Sequence, residues 1–358
     1  MKIKLKSLLA TAVIGMLTIG TSAHAEDKIS ATHVFPATLI YSKSFLEFVK
    51  KANAAGKGVF QIQVRGGPEA IPMMQQATAV RDGVVDMVYT PCAFYSAAVP
   101  ECDAVAASTI DGPTARRNGA LALLNKAHNQ QMKTEVLGWV DSGVRFHLWT
   151  TKEPKLDASG HVDVKGFKVR GNAIYNAFFT NYLGAQVLNV NMPEIYTALE
   201  RKTIEMMGWT QIGIMDARWD RFLKYRITPE FFSTDLMILM NKAKWDSLSA
   251  KTREILTKVA AAHETESLKA LQALWAKEKV EIAKRGIKTV EQSPEAARRF
   301  TKGAGRQSGA DEVPHGQGGH ERRLRRGRQG LLAELMHLGA AATVAPSWAR
   351  PTPAAIPR

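Results

Sequence analysis

Residues 163–184 read DVKGFKVRGNAIYNAFFTNYLG. Gly166 and Gly171 bracket a short run, Phe167-Lys168-Val169-Arg170, that alternates apolar and basic side chains as a half-buried strand does. The residues after Gly171 carry aromatic and apolar side chains at helical spacing, and Gly184 stops them where a left-handed residue is cheapest. The stretch is therefore expected to be a strand, a tight turn and a helix. It sets an arginine, Arg170, at the carboxyl end of the strand, next to the start of the helix.

Outward from this unit the same rhythm continues. QVLNV (186–190) reads as the next strand. MPEIYTALERK (192–202) reads as a helix with Pro193 in its first turn, where a missing N–H does no harm, and TIEMMGW (203–209) as another strand. An equivalent series precedes it. KISATHVF (28–35), GVFQIQVRG (58–66) and VVDMVYT (84–90) read as strands, separated by helices in LIYSKSFLEFVKKANAA (39–55) and AIPMMQQATAVRDG (70–83). Two successive βαβαβ units imply two α/β lobes, each with a largely parallel sheet covered on both faces. GWVDSGVRFHLWTT (138–151) and PEFFSTDLMILMN (229–241) read as extended, and two strands within them, at about 145–150 and 230–240, are expected to join the lobes as a hinge. From Ser249 to Arg285 the chain is helical in pattern, with Ile255, Leu256, Val259, Leu268, Leu271, Leu274, Val280 and Ile282 as the expected apolar face and Gly286 as the stop. At 1.5 Å per residue such a helix is on the order of 50 Å long, enough to cross both lobes. Two helices broken near HETES (263–267) are the alternative.

Both ends differ from this body. Lys2, Lys4 and Lys6, the apolar run Leu8–Ile19 and Ala23-His24-Ala25 form a secretory signal peptide, with cleavage expected after Ala25 and a periplasmic destination. After Lys302 all positive charge is arginine, and the chain turns rich in Gly, Ala and Pro. It reads as a disordered extension, or as the product of a frameshift near Ala304. Of the formal charge of +15, three units belong to the leader lysines and four to residues 303–358, which leaves +8 on residues 26–302. In an exported protein that excess points to small anions or an acidic membrane surface rather than nucleic acid. Cys92 and Cys102 leave two readings open: a disulfide across CAFYSAAVPEC, or two small buried thiols. Their spacing fits no common zinc site.

The chain lacks HExxH, GxSxG, Walker A and GxGxxG signatures, and no residues for turnover of a substrate stand out. What it offers is a cleft between lobes with arginines at strand ends, where open α/β sheets bind ligands. Arg170 reads either as a bidentate carboxylate clamp, with Asn172 and the following helix N-terminus adding donors, or as a surface ion-pair partner.

The stretch from Asp163 to Trp209, together with THVFPAT (32–38), AVRDGVVDMVYT (79–90) and MNKAKWDSLSAKTREIL (240–256), resembles the DctP-type solute-binding proteins of tripartite ATP-independent periplasmic (TRAP) transporters. The resemblance runs from about Ile29 to Phe300. It implies an α/β, two-lobed periplasmic-binding-protein (venus-flytrap) fold with hinge strands and a long helix crossing both lobes. Residues 26–146 plus 238–270 are expected to form lobe I, and 147–237 plus 271–302 lobe II. It also implies an extracytoplasmic receptor that captures a small organic acid and delivers it to membrane permease subunits. Such a receptor is no enzyme and binds no nucleic acid; no cofactor or metal site is expected, with assistance by a metal ion left open, and a monomer is expected, with a dimer left open. On this resemblance Arg170 matches the arginine that clamps the ligand carboxylate, and Arg145 a second arginine lining the site. Trp209 stands where many members carry asparagine and suggests a stacking wall. Met192 replaces an aromatic, Glu69 falls near a polar pocket position, and Phe94 and Tyr95 are expected to face the cleft from the first lobe. Lys202 and Glu205-Met206 depart from the Gly and Asp-Gly of the family pattern, so that turn is expected to be built differently. A sensory receptor with the same fold is the alternative function, as is an inactive product of a damaged gene.

Overall fold

The computed structural model describes residues 26–172 and 175–305. The expected signal peptide and the tail from residue 306 onward lie outside the described residues. The strands are β1 (Asp27–His33), β2 (Phe60–Gly66), β3 (Met87–Pro91), β4 (Thr134–Trp139), β5 (Phe146–Thr150), β6 (Lys155–Leu156), β7 (Val162–Asp163), β8 (Lys168–Gly171), β9 (Gln186–Asn189), β10 (Met206–Thr210), β11 (Tyr225–Thr228), β12 (Leu236–Asn241) and β13 (Lys288–Glu291). The helices are α1 (Ile40–Ala55), α2 (Gln76–Arg81), α3 (Glu101–Ala107), α4 (Gly112–Asn118), α5 (Ala120–Met132), α6 (Ile195–Glu200), α7 (Lys242–Ser247), α8 (Ala250–Lys284) and α9 (Pro294–Gly305).

Two sheets carry the lobes. Sheet order β2-β1-β3-β12-β4 defines lobe I and β13-β11-β5-β10-β8-β9 defines lobe II. In lobe I, β1 runs parallel to β2 and β3, while β12 enters antiparallel between β3 and β4. In lobe II, β10, β8 and β9 are parallel, and β5 runs antiparallel to β10 and β11. Each sheet thus combines one βαβαβ series with further strands, β4 and β12 in lobe I and β5, β11 and β13 in lobe II. The buried side chains of α1 (Tyr41, Phe45, Phe48, Val49 and Ala52) recur at helical spacing on one stripe, which faces the lobe I sheet. Lobe II has an aromatic core in which Tyr175 packs on Phe179 and Phe231, and Phe178 packs on Phe231 and Phe300. Phe300 comes from α9, and its burial contributes about 1.5–3 kcal/mol toward holding that helix on lobe II.

The extended stretch expected over 138–151 is broken. β4 ends at Trp139 and β5 begins at Phe146, and the residues between them cross from one lobe to the other beside the returning segment that ends at Asp235. The two crossings are paired: Phe146 N–H donates to Phe232 O at 2.8 Å, Phe231 N–H to Phe146 O at 2.9 Å, and Thr234 N–H to Val144 O at 2.9 Å.

Helix α8 is continuous over 35 residues, capped by Ser249, whose side chain accepts from Thr252 N–H. It touches lobe I through the ion pair of Arg116 with Glu264 and lobe II through Trp275, Glu278 and Arg285. Its apolar face is not the expected one in full. Leu256, Leu271 and Ile282 are buried, but Val280 is 52% exposed, and Thr252, His263, Glu264, Ser267 and Glu278 are inside. The buried stripe follows the grooves of two lobes rather than one apolar surface, and polar partners from each lobe satisfy its carboxylates.

Candidate functional site

A cleft between the lobes holds about 510 Å³ of space, counting its open mouth. Lobe II contributes Phe146, Arg170, Asn172, Tyr175, Met192, Trp209 and Thr210; lobe I contributes Phe35, Tyr41, Met73, Phe94, Asp235 and Leu236. The cleft lies at the carboxyl ends of β3, β8 and β10, where the strand order of an open α/β sheet leaves a crevice.

Arg170 is the only basic side chain among the described lining residues. It is 5% exposed, and its Nε donates to Val190 O at 3.0 Å while Nη1 donates to the Tyr175 hydroxyl at 2.7 Å. Among the described residues no carboxylate pairs with it, and Nη2 has no hydrogen-bond acceptor. A guanidinium removed from water with no protein counter-ion calls for an anion. Tyr175 aligns it. The phenol donates to Gly208 O at 3.0 Å, accepts from Arg170, and is hydrogen-bonded by the Asn172 side chain. Burial pushes the phenol up from its ordinary pKa, partly offset by the Arg170 charge, so it stays a neutral hydroxyl.

Two glycines make this arrangement possible. A Cβ on Gly171 would lie 2.5 Å from Val187 and 2.7 Å from the Asn176 side chain. A Cβ on Gly208 would lie 2.9 Å from Phe179 and 3.3 Å from the Tyr175 ring. The turn that aims Arg170 and the strand on which Tyr175 rests both need bare backbone. The turn at Lys202 keeps a left-handed backbone, φ 56°, without the glycine of the family pattern, at a cost of roughly 1–2 kcal/mol.

Of the other expected site residues, Asn172, Trp209, Met192 and Phe94 join Arg170 in the lining. Trp209 is 6% exposed and stands edge-on to Trp219, with ring centroids 4.7 Å apart. Its indole nitrogen is buried without a partner among the described residues. Arg145 does not line the cleft. Its guanidinium donates to Phe231 O at 2.8 Å and Ser233 Oγ at 3.2 Å, so it fastens one crossing segment to the other. The reason is its place one residue before β5, bridged to Ser233 on the return crossing. Glu69 is exposed, its carboxylate accepting from Gly67 N–H at 2.6 Å. Tyr95 points into lobe I, its hydroxyl 3.0 Å from His128 Nε2. The nearby cysteines are joined as the disulfide Cys92–Cys102.

Tyr175, Tyr41, Thr210 and Asp235 were not anticipated. Tyr175 could have been found as the aromatic one helical turn beyond the Arg170 strand. Tyr41 and Thr210 come from different lobes and form a hydrogen bond of 2.8 Å, a pairing of residues 169 positions apart.

Residues 31–307 match the bacterial extracellular solute-binding protein family 7, DctP. The chain belongs to this family. A solute-binding protein of Albidiferax ferrireducens is 22% identical to this DctP protein over 282 residues, covering 74% of this chain and 80% of the relative. Among solved structures, a TRAP periplasmic solute-binding protein of Desulfovibrio salexigens with bound orotic acid superposes with a TM-score of 0.72 at 14% identity, covering 88% of this chain and 99% of that one. One from Desulfovibrio desulfuricans with bound sn-glycerol-3-phosphate superposes with a TM-score of 0.72 at 17% identity, covering 87% and 97%. The two-lobed fold expected from the sequence is thus the fold of TRAP receptors, which bind small molecules and work with membrane permease components. Members of the family are periplasmic receptors rather than enzymes, and among the described residues no helix is long and apolar enough to cross a membrane.

Proposed function

We propose that this DctP receptor captures a small organic acid by its carboxylate and delivers it to the permease subunits of a TRAP transporter. Arg170 is the clamp, and Asn172, Trp209, Met192 and Phe94 form the walls around the ligand's body. The observation that carries the reading is a buried guanidinium, oriented by Tyr175 and paired with no carboxylate among the described residues, in a cleft walled mostly by aromatic and aliphatic side chains. One cationic group suits one negative charge. A doubly charged phosphate would find no second basic side chain among the described lining residues. Trp209 and the phenylalanines favour a ligand with a planar or apolar body. The ligand shifts the lobes toward closure only through contacts it makes better in the closed state, and a carboxylate bridged to Arg170 with its body against lobe I does so. The leader over residues 1–25 fits export to the periplasm. We further take the two sheets with their covering helices as the two moving bodies, close to the expected division but with β5 from Phe146 in lobe II and Asp235 with β12 in lobe I.

A thermal-shift screen of organic acids, followed by calorimetry on the hits, tests this. Arg170→Ala is expected to weaken binding by about 2–5 kcal/mol, because it leaves the carboxylate buried and unpaired. Unchanged affinity would exclude the clamp, as would a screen in which phosphate esters bind and carboxylates do not.

A further inference from the structure

We infer that Asp235 makes this receptor selective for acids that also carry a hydrogen-bond donor, a hydroxyl, amide N–H or ammonium group, presented to lobe I while Arg170 holds the carboxylate. The inference deepens the proposed function and rests on its carboxylate clamp.

Asp235 immediately precedes β12, whose first residue pairs with Pro91 at the end of β3. It lines the cleft from lobe I and is 2% exposed. Its Oδ2 accepts from Ala93 N–H at 2.6 Å, and its backbone carbonyl accepts from Cys92 N–H at 2.8 Å. Its own backbone N–H also donates to the carboxyl. Among the described residues no side-chain donor reaches it, and no lysine, arginine or histidine pairs with it. A carboxylate has about four acceptor positions. Two positions filled by backbone N–H groups in a buried site leave acceptor capacity that a ligand or water in the cleft can use.

The neighbouring polar groups are committed elsewhere. Tyr41 donates to Thr210 and Thr210 to Ile212 O, Thr234 donates to Asp141 O, and Tyr175 serves Arg170 and Gly208. Tyr89 donates to Asp141, Tyr95 pairs with His128, and Asp103 adds a like charge from α3. Arg170 and Asp235 thus offer, from the two lobes, a donor and an acceptor with spare capacity, and they do not pair with each other. Burial pushes Asp235 up to about 7, with Asp103 reinforcing and the Ala93 N–H opposing, so a donor from the ligand would also relieve an underpaired charge. An apolar acid leaves that group unmet; an acid with a donor meets it. A site built to hydrogen-bond a ligand group discriminates strongly against the analogue lacking it.

Calorimetry on the purified protein with matched acids tests this at pH 8. The pairs are lactate against propionate, mandelate against phenylacetate, and pyroglutamate and proline each against cyclopentanecarboxylate. The wild type is expected to bind the donor-bearing member of at least one pair more tightly by about tenfold or more. Asp235→Asn, which keeps an oxygen for Ala93 N–H, is expected to bring that pair within about threefold, while Arg170→Ala weakens both members. Equal affinities for both members in the wild type would overturn the inference even if Asp235→Asn failed to fold. So would discrimination that survives in a folded Asp235→Asn protein. Collapse of discrimination in Asp235→Asn with Arg170→Ala silent would keep Asp235 and refute the clamp. A panel in which neither kind of acid binds the wild type would overturn both.

Discussion

The two walls of the cleft present charged groups of opposite sign, and they hold them by different means. On lobe II, Arg170 sits inside one strand–helical turn–strand unit: its partners Tyr175 and Val190 are 5 and 20 residues away in sequence. On lobe I, Asp235 is held by a turn 142 residues distant, through Ala93 N–H, and that turn is fastened by the Cys92–Cys102 disulfide. A local device and a long-range device thus meet across one cleft. The cationic wall depends on side-chain hydrogen bonds and the acidic wall on chain crossings. Perturbations aimed at one should leave the other intact.

The largest separation is expected from the disulfide. Replacing Cys92 and Cys102 together by serine should lower unfolding stability by about 2–4 kcal/mol, measured by urea titration. The loss falls on the turn that donates Cys92 N–H and Ala93 N–H to Asp235. Discrimination between donor-bearing and donor-free acids should therefore fall more than affinity for the carboxylate itself. Equal loss in both kinds of ligand would mean that the two walls are mechanically one.

Tyr175→Phe probes the other wall. It removes the hydroxyl that accepts from Arg170 Nη1 and donates to Gly208 O. Leaving buried partners unmet costs about 1–3 kcal/mol. Affinity for carboxylates should drop about tenfold, corresponding to roughly 1.4 kcal/mol, while the preference set by Asp235 persists. An unchanged carboxylate affinity would show that Arg170 keeps its aim without the phenol.

This difference in construction also explains what could be read from the sequence. Alternation over short runs marked β1, β2, β3, β8 and β9 because a strand's period is local. Arg170 was legible for the same reason: glycines, strand and following aromatics lie within one contiguous stretch. The long helix was legible as a helix, and Leu256, Leu271 and Ile282 as part of its buried face, but not the rest, since Glu264 and Glu278 go inside only when Arg116 and Gly213 N–H arrive from elsewhere. Arg145 looked like a site residue by family position, but pairing between distant crossings gave its guanidinium to Phe231 and Ser233. Asp235 was hidden in PEFFSTDLMILMN, which reads as an apolar return strand. Nothing near it in sequence signals that Ala93 will be its donor or that the cleft will lie beside it. Side chains fixed by local backbone periodicity announce themselves, whereas those fixed by the meeting of remote segments do not.

The smallest effect concerns the contact that joins the walls directly. Tyr41 on α1 of lobe I donates to Thr210 Oγ1 on β10 of lobe II, and Thr210 passes its own hydrogen to Ile212 O. Burial pushes the Tyr41 phenol well above its ordinary pKa, so it remains a donor across the physiological range. Under the proposed closure the bond forms only when the lobes meet, so its net worth, about 0.5–1.5 kcal/mol, would appear in the closure equilibrium. Tyr41→Phe should therefore raise the dissociation constant of any bound acid by about two- to tenfold, equally for donor-bearing and donor-free acids. Small-angle scattering of the ligand-free variant should show a larger fraction of open molecules. A change in selectivity instead of a uniform loss would place Tyr41 in contact with the ligand rather than between the lobes, and the division of labour between the two walls would then have to include it.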